Sequence, residues 1–228
     1  MLRKAGFALL FLFMAVESVG ACDLNRALGY GPFYKQEYTS STPTWNVDIY
    51  GGHVAYDLIA GTFGATGGGG GGKYSGGVQL QFSDSYRIVG PALATPISFQ
   101  AAFHVGGTLN ASLNSYPFIG TVCDATSAQL IATSGSASVS HYYTIPAQGC
   151  ETTTFDDGMT LALAKLPGET FPLSMLLAVF GSRAGNVNGT FEFTGLPAGY
   201  VIQSCQGFGG QPVPAQNTSW GSLKHSYR

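Results

Sequence analysis

Four cysteines, four histidines and twelve carboxylates are the groups in this 228-residue chain that could do chemistry. Cys22, Cys123, Cys150 and Cys205 contain no Cys-x-x-Cys pair. Zinc-ribbon and thioredoxin-like redox chemistry therefore have no support. Glycoside hydrolysis needs two carboxylates about 5–10 Å apart across a cleft. Here Asp48, Asp57, Asp84, Glu151, Asp156, Asp157, Glu169 and Glu192 are scattered along the sequence. Glu192 lies between Phe191 and Phe193 and is expected to face solvent. His53, His104, His141 and His225 show no metal-ligand spacing, and His104 and His141 alternate with apolar neighbours as sheet-surface residues do. No Gly-x-Ser-x-Gly elbow occurs. Gly67–Gly72 followed by Lys73 imitates a phosphate loop, but Tyr74 stands where a magnesium-binding Ser or Thr belongs. Asp156-Asp157-Gly158 offers two carboxylates to calcium, which commonly takes six or more oxygens, and reads more simply as a turn. No catalytic residue, metal or cofactor is assigned, and the reading leans against an enzyme.

The cysteines have another use. An even number in an exported chain points to two disulfides, with three possible connectivities. Cys123–Cys150 is the preferred local pair, since each residue adjoins a turn-forming one, Asp124 or Gly149. Cys22–Cys205 would then tie the start of the mature chain to a late strand. Val19-Gly20-Ala21-Cys22 also resembles a lipobox, so lipidation of Cys22 stands as an alternative. The aromatic residues Trp45, Tyr50, Tyr142 and Tyr143 are candidate ligand-facing groups, because exposed rings stack on sugar faces and anchor interfaces.

These residues need elements to position them. Arg3 and Lys4, the apolar run Ala5 to Val16, and Val19-Gly20-Ala21 form a secretory signal. The run is too short to span a ~30 Å hydrocarbon core as a helix. The expected organisation is a signal peptide over 1–21, one domain over 22–208 and an irregular tail over 209–228, without a transmembrane segment in the mature chain. Cleavage leaves 8 basic and 11 acidic residues, a net charge of −3. That excludes the cationic face nucleic-acid binding requires. Charged residues make up 10% of the chain, against roughly 25% in ordinary soluble domains. Gly, Ser and Thr hydrate the surface instead, while 15 Phe and 12 Tyr supply a core.

Period-2 alternation predominates. Val78 to Phe82, Ile97 to Val105 and Thr108 to Leu113 read as strands, with Gly106-Gly107 as a hairpin signal. Ser83-Asp84-Ser85 reads as a turn and Asp23 to Thr44 as irregular. His53 to Ile59 is a further strand. Met159 to Leu166 and Leu173 to Phe180 are compatible with helix by composition, and Met175 to Phe180 is read as a buried central strand. The fold class is all-β: a two-sheet antiparallel β-sandwich, jelly-roll-like, built from ten or so short strands.

Two stretches carry a resemblance. Tyr74 to Gly90 contains Phe82-Ser83-Asp84-Ser85 between strands and leads into Pro96 to Val105. Asn188 to Gly207 contains Leu196-Pro197-Ala198-Gly199-Tyr200 ahead of Ser204-Cys205-Gln206-Gly207. Together they resemble the body of secreted bacterial β-sandwich proteins of the PEP-CTERM sorting type, over about half the mature chain. The family's Pro-Glu-Pro tail signal does not occur in 209–228. The resemblance implies a secreted sandwich and no catalytic residues. The expected function is a non-catalytic secreted or cell-surface protein with a structural or adhesive role. The alternative is an extracellular carbohydrate-binding or carbohydrate-cleaving sandwich. The expected partners are extracellular polysaccharide or other surface proteins.

Overall fold

The structure, a computed structural model, describes residues 24–31, 35–67, 76–116, 120–124, 126–145, 150–181, 185–206 and 211–212. All regular structure among these is strand. In chain order the strands are β1 (Asn25–Tyr30), β2 (Lys35–Ser40), β3 (Thr44–Ile49), β4 (Gly52–Asp57), β5 (Thr62–Gly67), β6 (Gly76–Val89), β7 (Ile97–Asn110) and β8 (Ser112–Tyr116). They continue with β9 (Gly120–Asp124), β10 (Thr126–Ser134), β11 (Ala137–Ile145), β12 (Thr152–Lys165), β13 (Thr170–Gly181), β14 (Gly185–Thr194), β15 (Val201–Ser204) and β16 (Gln211–Pro212).

Two antiparallel sheets pack face to face. The first runs β11-β10-β13-β6-β1-β2, with β15 also paired to β6 and β16 to β15 in parallel. The second runs β12-β7-β14-β5-β4-β3. A separate hairpin joins β8 to β9. The sandwich expectation holds. Met175 to Phe180 lies within β13, the strand between β10 and β6, where alternate and then successive side chains are buried. Met159 to Leu166 falls mostly in β12, an edge strand of the second sheet. No helix among the described residues is long and apolar enough to cross a membrane.

The core is the interdigitation of the two inner faces. Val78, Leu80, Phe82, Tyr86 and Ile88 of β6 meet Phe99, Ala101, Phe103 and Val105 of β7 and their neighbours. Tyr86 stacks on Phe171 at 5.7 Å and takes the Phe193 ring edge-on at 5.0 Å. Burying each such side chain contributes about 1.5–3 kcal/mol.

The structure corrects four local expectations. Strands β6, β7 and β12 each run 14 residues, longer than the short strands the turn signals imply. Ser83-Asp84-Ser85 is mid-strand, because Asp84 is buried and finds its hydrogen bonds in the chain beyond β15 rather than in a turn. Gly106-Gly107 does not turn either, since neither glycine has positive φ. A Cβ on Gly107 would lie 2.2 Å from the Asn186 carbonyl oxygen, so this glycine permits close strand approach. Asp23 to Thr44 contains β1 and β2. Inward-facing Asn25 and Gly29 flank Ala27 and break the apolar alternation that would announce β1.

β6 has an unusual edge. β1 pairs with Gly77 to Gln81, and β15 pairs with Tyr86 to Val89. Because β13 occupies the other side of β6, β1 and β15, from opposite ends of the chain, dock in tandem on one edge.

Candidate functional site

The second sheet turns a polar face to solvent. Its cross-strand rows follow from register. Asn46, Ala55, Gly64, Asn188, Gly106 and Asp156 lie opposite one another from β3 to β12. The adjacent row is Thr44, Asp57, Thr62, Thr190, His104 and Gly158. At about 4.8 Å per strand, either row crosses roughly 24 Å of sheet.

Small residues at Ala55, Gly64 and Gly106 keep the first row low. Threonines at 44, 62 and 190 keep the second higher. Between them runs a groove of about 780 Å³, lined by residues of both rows and by Trp45, Tyr56 and Phe63. The Asn188 carboxamide leans over Gly64, whose added Cβ would lie 2.5 Å from Asn188 Oδ1. Asn188 Nδ2 donates to Asn186 Oδ1 at 3.2 Å, which fixes the amide. At the β12 end, His104 Nε2 lies 3.0 Å from Asp156 Oδ1, both side chains largely exposed. At the β4 end, Asp57 Oδ1 accepts the Ala60 backbone N–H at 2.9 Å.

Asp156 and Asp157 do not act together. Successive strand residues point to opposite faces, and Asp156 reaches His104 outside while Asp157 turns inward. Asp157 Oδ2 pairs with His141 Nδ1 at 2.9 Å and accepts the Tyr143 hydroxyl at 3.1 Å. The Asp157 Oδ1 accepts the Gly158 N–H at 2.7 Å. That backbone bond, then Tyr143 and His141, hold the Asp157 carboxyl below its usual range. Burial first, and then the Asp157 hydrogen bond, push the Tyr143 phenol up to about 12. Tyr143 also stacks on Phe155 at 4.0 Å and 15°. This cluster ties β11 to β12 across the seam between sheets. The calcium reading fails on the same alternation, and the Asp-Asp-Gly sequence is strand rather than turn. Among the described residues no group of three or more His, Cys, Asp or Glu could hold a metal.

The four candidate aromatics do not form one platform. Trp45 stands on a groove strand, but its ring lies half-buried on the inner side, edge-on to Tyr56 at 5.8 Å and packed against the core. Tyr50 is exposed in the turn after β3, where its N–H donates to Gln36 Oε1 at 2.8 Å. Tyr142 projects from β11 of the other sheet and is 64% exposed. The Tyr143 ring belongs to the seam. Glu192 is exposed between buried Phe191 and half-buried Phe193, as expected. The loop-like glycines beyond Gly67, with Lys73 and Tyr74, lie outside the described residues.

A second polar cluster is internal. Asp84 is 1% exposed. Its carboxylate accepts the Gln206 N–H at 3.0 and 3.2 Å and the Ser85 N–H at 2.8 Å. The Ser204 hydroxyl is near enough to favour the charge yet closes no full hydrogen bond. Burial outweighs these contacts and raises the Asp84 pKa. The buried Tyr86 phenol is pushed well above its ordinary value by burial and then by the Asp84 charge.

Cys150 and Cys205 are disulfide-bonded, and no described cysteine is free. Cys22 and the Cys123 side chain lie outside what the structure describes. Sequence reasoning missed the groove and the Asp84 cluster, since both are assembled from strands distant in sequence. No protein-family model, curated protein or solved structure matches the chain.

Proposed function

We propose that this is a secreted, non-catalytic β-sandwich with an adhesive role, and that the groove across the second sheet takes extracellular polysaccharide. The observation that carries the reading is the groove itself. It is an open channel walled by Thr hydroxyls and the Asn46 and Asn188 amides. Sugar hydroxyls require such donors and acceptors. Its carboxylates are too far apart for hydrolysis. Asp57 and Asp156 stand four strands apart, about 19 Å by strand spacing, beyond the roughly 5–10 Å a glycosidase pair needs. The test is a glycan array on the oxidised protein, with Asn188→Ala as control. Binding that this substitution weakens supports the reading. Absence of glycan binding by the unsubstituted protein overturns it, and so does hydrolysis of any bound glycan.

Disulfide connectivity supports the extracellular part. Cys205 donates its N–H to Ser85 O on β6. Cys150 sits at the other end: Glu151 O accepts the Ala111 N–H, and Asn110 O accepts Thr126 Oγ1, beside the Gly76 end of β6. Nine residues of strand separate Gly76 from Ser85, about 30 Å. A disulfide requires Cα atoms within about 7 Å, so Cys150 and Cys205 have separate partners. The hairpin pairs Leu113 with Cys123 and Ser112 with Asp124, on the strand that continues from Asn110. Cys22 is three residues from Asn25, whose side chain bonds Gln206. These positions support the pairs Cys123–Cys150 and Cys22–Cys205. A disulfide at Cys22 leaves no thiol for a lipid. Intact mass and disulfide peptide mapping check this: a lipidated Cys22, or a Cys123–Cys205 peptide, overturns it.

A further inference from the structure

We infer that the groove is selective by charge and takes amine-bearing polysaccharides, amino-sugar polymers with protonated amines, over uncharged and anionic ones. The inference rests on the polysaccharide reading above and adds the class of sugar.

The argument is the distribution of charge. The outer face of the second sheet carries Asp48, Asp57, Asp156 and Glu192, all on strands of that sheet. The described Lys and Arg residues all lie elsewhere. Arg26 and Arg87 project from β1 and β6 of the first sheet, and Lys35 lies on β2. Lys165 is turned to the inner side of β12, held by Glu169 Oε1 at 3.1 Å and set over the Phe171 ring. Among the described residues the groove face is thus acidic and lacks any permanent cation.

One carboxylate lines the groove, and a second stands just past it beside His104. Asp57 lines one end and spends one oxygen on the Ala60 N–H. Asp156 stands at the other end, 77% exposed beside His104. Between them the Asn188 amide and the Thr62 and Thr190 hydroxyls can bond sugar hydroxyls. An anionic chain laid along the groove would bring carboxylate or sulfate towards both aspartates, and like charges facing one another disfavour the complex. A chain carrying ammonium groups meets a carboxylate at each end.

The test is affinity electrophoresis or calorimetry with the oxidised, signal-free protein. The probes are partly deacetylated chitosan, an uncharged glucan and a polyuronate of matched length. We expect tightest binding to chitosan, weakened by added salt, and none to the polyuronate. Asp57→Asn with Asp156→Asn should weaken chitosan binding about tenfold, as loss of two exposed ion pairs does. The ratio of chitosan binding to glucan binding should fall with it. Equal, salt-independent binding to chitosan and glucan overturns the charge inference but leaves the polysaccharide reading standing. Tighter binding to the polyuronate does the same. Binding to none of the three, with the thermal transition intact, overturns both.

Discussion

Asn25 and Gln206, 181 residues apart in sequence, share a buried 2.6 Å hydrogen bond in which Asn25 Nδ2 donates to Gln206 Oε1. The bond is one link in a chain. Gln206 Nε2 donates to Ser83 O at 3.2 Å, which sets the orientation of its amide. Asn25 Nδ2 also donates to the Tyr56 hydroxyl at 2.9 Å, and Tyr56 in turn donates to Thr42 O at 3.0 Å. The chain crosses from one sheet to the other exactly where β1 stops and β15 begins along β6.

Removing a partner from this chain strands a buried polar group. Asn25→Ala and Gln206→Ala should each cost about 1–3 kcal/mol. Their double mutant should fall short of the sum by at least about 0.5 kcal/mol, as contacting residues do. Urea unfolding of the four proteins measures it, and strict additivity would show that the bond contributes nothing.

Asp84 gives a pH signature. Its folded pKa is raised by burial, so its contribution is fully present below the unfolded value and is lost as pH rises through the folded one. Asp84→Asn lacks that loss. The melting temperature of the variant relative to wild type should therefore climb between pH 3 and pH 7. A difference that stays flat or falls across that window contradicts the assignment.

The seam behaves in the opposite sense at its carboxylate. Asp157 is lowered in the folded protein, so its contribution is present above its unfolded pKa of about 3.9 and disappears as pH falls through the folded value. Asp157→Asn should destabilise at pH 7 and converge on wild type in acid. Tyr143, raised to about 12 from about 10, contributes below its unfolded pKa and loses this as pH rises toward 12. Phenolate absorbance of wild type minus Tyr143→Phe should show that late titration.

Two glycines separate binding from folding. Gly64→Ala displaces mainly the end of the Asn188 side chain and only brushes the Val187 carbonyl oxygen at 3.3 Å, so melting should move little while groove binding falls. Gly107→Ala drives a Cβ into the Asn186 backbone and should cost about 1–3 kcal/mol through overpacking. Paired melting and binding measurements on the two variants check the contrast.

Alternation made the interior of the sandwich readable. Met175 to Phe180 is apolar throughout because β13 lies between two strands under a second sheet, and Glu192 declared its exposure by standing between two phenylalanines. Polar residues within long strands misled. Asp84 and Asp156-Asp157 have turn-like neighbours, but tertiary partners supply their hydrogen bonds: the Gln206 N–H, the His104 ring and the Tyr143 hydroxyl. The groove left no trace in spacing, because Ala55, Gly64, Asn188 and Gly106 come from four strands and become a row only through register. Trp45 stands on a groove strand, yet alternation turns its ring to the core.

The tandem docking of β1 and β15 on β6 has a mechanical consequence. Tension applied ahead of β1 and just beyond β15 enters at neighbouring points on a single strand, β6. The load path between Asn25 and Gln206 is short and runs through their hydrogen bond and the adjoining Ser83 to Ser85. Of the groove strands only β4 touches that path, through the Tyr56 hydroxyl, so most of the binding face would keep its shape under strain.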